Sequence, residues 1–220
     1  MSLTMGSKMK QIKTSPMHSG SAFRRLMLLA GISGLSAIAL GSSQNSVKAL
    51  ESRTQAMSWQ GASFPVENFQ GYTSPFGYRR SPDGGYNQEF HRGLDMAAPE
   101  GSYIRSWWAG KVVEISDDSA CGTSVVIQSG EWVHIYCHMQ GRVERDGSGR
   151  YISDRRGGLQ VRENQAIAAG ARIGRVGMTG RTTGPHLHWG LKYTGQWVDP
   201  ALVLRAMYTE QGSQSVSSRP

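Results

Sequence analysis

Glycine punctuation constrains this chain more than any other feature. From Ser74 onward the apolar residues come in short runs, divided by turns at Ala109-Gly110, Ser129-Gly130, Gly157-Gly158 and Gly184-Pro185. Runs this short fall below the roughly 10–12 residues that an ordinary helix needs, and they suit strands instead. Tyr103–Trp108, Lys111–Ser116, Thr123–Gln128, Glu131–His138, Arg172–Val176 and His186–Tyr193 all carry the strand pattern. Glycine makes up 28 of the 220 residues, well above the usual share of about 7%, and with no Gly-X-Y period that excess excludes collagen. A chain that is 38% hydrophobic and 18% charged has a globular balance rather than a disordered one. The expectation is a mainly β fold, a small antiparallel β-sheet domain over residues 73–208 with a short C-terminal helix. Asp199 is the N-cap of that helix and Pro200 its first residue, and it runs to about Tyr208. Residues 50–72 read as a linker, the polar segment 209–220 as a flexible tail, and the charged stretch 141–158 as a loop or ribbon between strands.

The net charge of +8 raises the question of a nucleic-acid partner. Its distribution answers it. Residues 1–49 hold Lys8, Lys10, Lys13, Arg24, Arg25 and Lys48 and no acid, and without those six the balance is 18 basic against 16 acidic groups, a net of +2. A near-neutral body is not a phosphate-tracking surface, so no nucleic-acid partner is expected. The N-terminal charge belongs to a different pattern. Arg24-Arg25 precede the uncharged run 26–40, and Val47-Lys48-Ala49 follows with small or branched residues at the −3 and −1 positions. This is the pattern of a signal peptide cleaved after Ala49. The apolar run is shorter than the roughly 20 residues that cross a bilayer. Membrane association is expected only through this segment if it stays uncleaved, and the mature chain is placed in the periplasm, cell envelope or extracellular space. A monomer is expected.

Two cysteines exclude a disulfide-dense scaffold and a four-cysteine zinc site. Cys121 and Cys137 flank the hairpin around Ser129-Gly130. A three-residue loop centred on Ser129 sets Cys121 opposite Cys137, whereas a two-residue turn pairs Cys137 with Gly122.

The histidines carry the chemistry. His91 and Asp95 stand four apart in an extended or turning segment, where i and i+4 share a strand face, and His186 and His188 stand two apart with the same result. His138 ends the strand Tyr136–His138. Two imidazoles and a carboxylate form the ligand set of a catalytic zinc with an open position. Two further His are left for proton transfer near neutral pH. Either motif alone is common. Both together, in an exported domain with few other His, point to a metal. His134, four residues before His138, is read as a polar strand residue beside the groove. Cys137 alternates with His138 and is expected to point away from the metal. Trp107, Trp108, Trp132 and Trp189 are expected as core and groove-wall aromatics.

Four blocks give these residues a context: Ser74–Arg79 (SPFGYR), His91–Asp95 (HRGLD) running into Ala98–Gly101 (APEG), Tyr136–His138 (YCH), and Gly177–Gly180 (GMTG) leading to Thr183–His188 (TGPHLH). Over roughly residues 70–200 the chain resembles the lysostaphin/LytM-type zinc metallopeptidases, the family of murein endopeptidases. The resemblance implies a duplicated-hybrid-motif-like antiparallel β domain with its site in a groove. It implies Zn2+ held by His91, Asp95 and His188, with His138 and His186 assisting the water and the transition state. The implied partner is the peptide part of peptidoglycan, and the implied reaction is hydrolysis of its cross-links or stem peptides. The 141–158 segment, with Arg142, Arg145, Arg150, Arg155 and Arg156, is longer than the minimal family link. It is read as either a rim of the groove or a solvated insertion. Two other functions compete. A non-catalytic activator of wall hydrolases would be a relative that had lost ligands, and here none is missing. An iron oxygenase shares the two-His-one-carboxylate set but with a tighter His-x-Asp spacing.

Overall fold

The computed structural model describes residues 59–81 and 86–217, so the expected signal segment lies outside the described residues. Among these residues no helix is long and apolar enough to cross a membrane. The strands are β1 (Gly71–Ser74), β2 (Gly77–Arg80), β3 (Gln88–His91), β4 (Leu94–Ala97), β5 (Tyr103–Arg105), β6 (Gly110–Ser116), β7 (Ser124–Ser129) and β8 (Trp132–Cys137). They continue as β9 (Arg142–Asp146), β10 (Gly149–Asp154), β11 (Leu159–Arg162), β12 (Ala166–Ile167), β13 (Arg172–Arg175), β14 (His186–Tyr193) and β15 (Gln196–Val198), and α1 (Pro200–Ser217) closes the order.

One eight-stranded sheet, β1-β4-β14-β8-β7-β6-β12 with β15 also on β14, forms the body. All its pairings are antiparallel. Strand β14 lies between β4 and β8, and its register divides its residues between two faces. Leu187 opposes Met96, and Trp189 opposes both Leu94 and Tyr136. These five side chains are at most 2% exposed and lie in the core. The alternate residues face the other way, where His188 opposes Asp95 on one side and Cys137 on the other. A one-residue slip would exchange the two sets, so burial of the apolar face fixes which residues reach the site face.

The aromatic core draws in the segment before the sheet. Trp59 packs edge-on against Trp132 at 6.2 Å and tilted against Trp107 at 6.5 Å, and Trp107 meets Trp189 at 5.7 Å. Ala62 and Val66 are buried, and Ser63 and Glu67 donate their backbone N–H groups to the carbonyls of Trp107 and Tyr103. The described part of the expected linker is therefore built into the domain. Trp107 and Trp189 are core residues, as the sequence predicts, but among the described residues no tryptophan lines the groove.

Helix α1 begins as predicted, with the Asp199 carboxylate accepting the Ala201 N–H at 2.9 Å. It does not stop at Tyr208. The Gln211 amide donates to the carbonyls of Trp59 and Ala62, at 2.8 and 3.0 Å. These two long-range bonds recruit a polar segment that has no apolar face of its own. The 141–158 segment is a ribbon: β9 and β10 pair with each other and β10 pairs with β11, forming a separate three-stranded sheet.

Cys121 and Cys137 are joined, with Cα atoms 4.9 Å apart, but through neither of the two registers the sequence left open. The turn sits one residue or more further along: Ser129 pairs with Trp132, and Val125 with Tyr136. Continued, that register would set Cys137 opposite Ser124. Cys121 reaches it because the chain leaves β7 at Gly122 (φ 62°) and folds back. The left-handed backbone there suits glycine, and a Cβ at this position would stand 2.4 Å from the Thr179 carbonyl carbon.

A disulfide spanning 16 positions stabilises by about 3 kcal/mol in the chain-entropy model. Adding a dithiol reductant should lower the melting temperature by several degrees, read by far-UV circular dichroism. An unchanged melting temperature, with both thiols shown to be free after the treatment, would contradict this.

Candidate metal centre

Two strands and the end of a third bring the predicted ligands together. His91 closes β3, Asp95 lies in β4 and His188 in β14. His91 and Asp95 do not share one strand face, as their spacing suggested. The chain bends at Arg92-Gly93, so the two residues belong to different sheets and approach each other across the bend. Gly93 is what the close approach requires. A Cβ there would stand 2.5 Å from Cε1 and 2.6 Å from Nε2 of His188.

Nε2 of His91, Oδ1 of Asp95 and Nδ1 of His188 form a triangle with sides of 3.1, 2.8 and 2.9 Å. A tetrahedral ion with bonds of about 2.0–2.1 Å asks for edges of roughly 3.3 Å, a widening of a few tenths of an ångström. Among the described residues these three are the one His/Cys/Asp/Glu group placed to hold a metal ion. The second atom of two of the candidate ligands is committed elsewhere. Nδ1 of His91 lies 2.7 Å from the Pro75 carbonyl. A carbonyl only accepts, so Nδ1 carries the proton and Nε2 presents its lone pair inward. Oδ2 of Asp95 takes a hydrogen bond from Nη1 of Arg79 at 3.0 Å. Burial alone would raise the Asp95 carboxyl, but the close imidazoles of His188 and His91 outweigh it and hold the carboxyl well below the ordinary carboxylate range. Burial pushes the His188 imidazole down, against the pull of Asp95.

His138 and His186 stand beside this triangle, with ring centroids 4.8 Å apart and Nε2 of His186 3.6 Å from Oδ1 of Asp95. Each is oriented by a carbonyl. Thr179 accepts from Nδ1 of His138 at 2.8 Å, and Gly184 accepts from Nδ1 of His186 at 2.8 Å. Both rings therefore keep Nε2 free as a base. Burial, reinforced by the neighbouring His186 and His188 and opposed by the Thr179 carbonyl, pushes His138 down to about 4.

Three expectations change in this neighbourhood. His138 does not end a strand. It follows β8 in a left-handed conformation (φ 60°), and this turn swings its ring to the site face. His134 keeps the regular alternation and points to the core. It is fully buried, hydrogen-bonded to Ser129 at 2.8 Å and to the Tyr136 hydroxyl at 2.6 Å, and burial pushes its imidazole down to about 3. Cys137 faces the site side, opposite His188, rather than away from it. Its sulfur is spent on the disulfide, which leaves no thiolate for a metal. Sequence reasoning gave no role to Arg79 or Thr179. Arg79 ends the first of the four family blocks and Thr179 lies inside the fourth, but a spacing argument holds no information about an arginine 16 positions from its carboxylate. The whole assembly floors an open groove of about 720 Å³ walled by Arg79, Glu89, the disulfide and residues 181–183.

A nitrogen- and carboxylate-lined site with spare imidazoles, set in a groove of a β domain, is the arrangement of a metallohydrolase. Comparison with known proteins gives the family. The model of Peptidase family M23 matches residues 89–156 and 151–200, just over half of the chain. The chain belongs to that family. It is 33% identical over 132 residues to the DD-carboxypeptidase/endopeptidase Mpg of Neisseria meningitidis serogroup B, covering 60% of this chain and 26% of Mpg. It is 31% identical over 137 residues to the peptidoglycan DD-endopeptidase ShyA of Vibrio cholerae, covering 62% of this chain and 28% of ShyA. This chain thus spans about a quarter of the length of these curated relatives. Among solved structures, a zinc-containing peptidase from Vibrio cholerae matches with a TM-score of 0.49 at 28% identity, covering 62% of this chain and 37% of that one.

Gly93→Ala should displace the His188 ring, because the new methyl would overlap it. The expected result is a shifted His188 imidazole resonance and weaker metal binding. Gly147→Ala, where a Cβ meets nothing within 4 Å, should change neither. Wild-type metal binding by Gly93→Ala would show that the ring has room to move.

Proposed function

We propose that this domain is a zinc endopeptidase that hydrolyses peptide bonds in the cross-links or stem peptides of peptidoglycan. The observation that carries the reading is the triangle of His91, Asp95 and His188 donors with the free Nε2 atoms of His138 and His186 beside it. The relatives named as DD-endopeptidases support the substrate class. The place of action that goes with it is the cell envelope, reached by the export expected from residues 1–49. A non-catalytic activator fits less well, because every group the reaction needs is present and oriented.

His91, Asp95 and His188 are the proposed zinc ligands, and zinc bound by them supplies Lewis acidity for polarising a carbonyl and acidifying water. The remaining steps belong to the protein. The open groove admits an extended peptide, and its floor holds the scissile bond next to the imidazoles. His138, neutral at pH 7, and His186 each present a lone pair on Nε2. Either takes the proton of the attacking water. Once protonated, it donates to the developing oxyanion or to the leaving amine. Thr179 and Gly184 fix the tautomers, so no ring has to flip before it acts.

His91→Ala, Asp95→Ala and His188→Ala should each lose most of the zinc measured by elemental analysis, because each removes one of three protein donors. Near-stoichiometric zinc in all three would overturn the ligand set. Purified peptidoglycan should release peptide fragments, identified by mass spectrometry, with the wild-type domain and none after chelation; zinc should restore the release.

His138→Ala and His186→Ala separate chemistry from metal binding. Both should keep zinc and fold while kcat falls about 10²–10⁴-fold. Full activity in either variant would make its histidine a bystander.

A further inference from the structure

The two oxygens of Asp95 have different partners. Oδ1 faces the imidazoles, at 3.1 Å from His91 and 2.8 Å from His188, whereas Oδ2 is turned to Arg79 at 3.0 Å. Arg79 is itself held on every side. Its Nη1 also donates to the Ser74 hydroxyl at 2.6 Å, and its Nε and Nη2 donate to Oε1 of Glu89 at 3.2 and 3.0 Å. Oε2 of Glu89 accepts from Arg181 at 3.0 Å, on the loop that leads to His186. Strand register delivers this arrangement. Across the β2–β3 pair Arg79 opposes Glu89 and Gly77 opposes His91, so one hairpin carries both a predicted ligand and the arginine that grips the neighbouring ligand.

Left to itself, a carboxylate can bind a cation through one oxygen or both. A planar guanidinium fixed at three points removes that freedom, because moving Oδ2 toward the ion would break a charge-assisted bond. Glu89, shared between Arg79 and Arg181, offsets part of the positive charge that the arginine brings beside the cation site. The geometry points to Arg79 as a positioning residue of the metal centre, one that keeps Asp95 bound through Oδ1 alone. This rests on the reading of Asp95 as a ligand, but not on the choice of substrate.

The test uses metal binding in the full chain. Zinc affinity is measured against a competing chelator dye, and the visible spectrum is recorded after cobalt replaces zinc. Arg79→Met keeps the length of the side chain and removes its donors. It should weaken zinc binding about 10–100-fold, the usual effect of losing a group that orients a ligand. Its cobalt spectrum should weaken, as expected when a freed carboxylate adds its second oxygen and the coordination number rises. Arg79→Ala removes the same donors without placing an apolar chain in the groove, and it is measured alongside so that a folding defect in one variant does not decide the matter. Arg79→Lys, which restores one donor and the charge, should recover part of the affinity and of the spectrum. Wild-type affinity and spectrum in a folded Met or Ala variant would overturn the proposal. Peptidoglycan digestion by the wild type is scored separately. Failure there, with the binding loss intact, would count against the endopeptidase reading and not against the role of Arg79.

Discussion

The antiparallel register of β14 against β4 and β8 is the constraint on which the site depends. It is held by the core, where Leu187 and Trp189 interlock with Met96, Leu94 and Tyr136. The opposite face follows without further choice: His188 must oppose Asp95, and His186 must oppose Ala97 with its ring next to the same carboxylate. Hydrophobic burial on one side of a sheet thus positions polar chemistry on the other. A buried carboxylate among imidazoles is tolerable only because its oxygens are fully engaged.

The second half of the site reaches the groove through departures from regular structure. A strand that continued through His138 would have buried that ring beside His134. The left-handed residue turns it outward instead, and the surroundings keep it there. The His138 N–H donates to the Cys121 carbonyl at 2.8 Å, its ring donates to Thr179, and its carbonyl accepts from Gly177 at 2.8 Å. Thr179 is tied in turn through its hydroxyl to Thr123 and Met139, both at 2.9 Å. The disulfide closes this network from the groove side, joining the residue before His138 to the loop that its backbone bonds to. Unfavourable backbone at a functional residue persists where several elements over-determine it.

The arginine-rich ribbon presents a different case. Much of its charge is neutralised within the ribbon and by the body. Arg142 and Arg155 both meet Glu144, Arg162 meets Asp146, and Arg175 on β13 meets Asp154. It lies outside the groove that holds the imidazoles, whose walls include none of its residues. Of the two readings the sequence left open, the structure favours a folded insertion with its own sheet.

By itself the sequence determined the class of fold and the residues that converge. Glycine punctuation and alternation give the strands, Asp199-Pro200 starts the helix, and the spacing of His91, Asp95, His138, His186 and His188 within the family blocks marks the site. These are local or pattern properties, written in short stretches of chain. Tertiary structure alone decided the rest. The bend at Gly93 divides His91 from Asp95, and the turn slipped along the β7–β8 hairpin so that the disulfide forms at a fold-back rather than across a ladder. The polar end of α1 is held by two carbonyls about 150 positions earlier in the chain. Arg79 and Thr179 act on groups 16 and 41 residues away. In each case the deciding energy is a contact between distant segments, and neither residue propensity nor spacing encodes which distant group will be met.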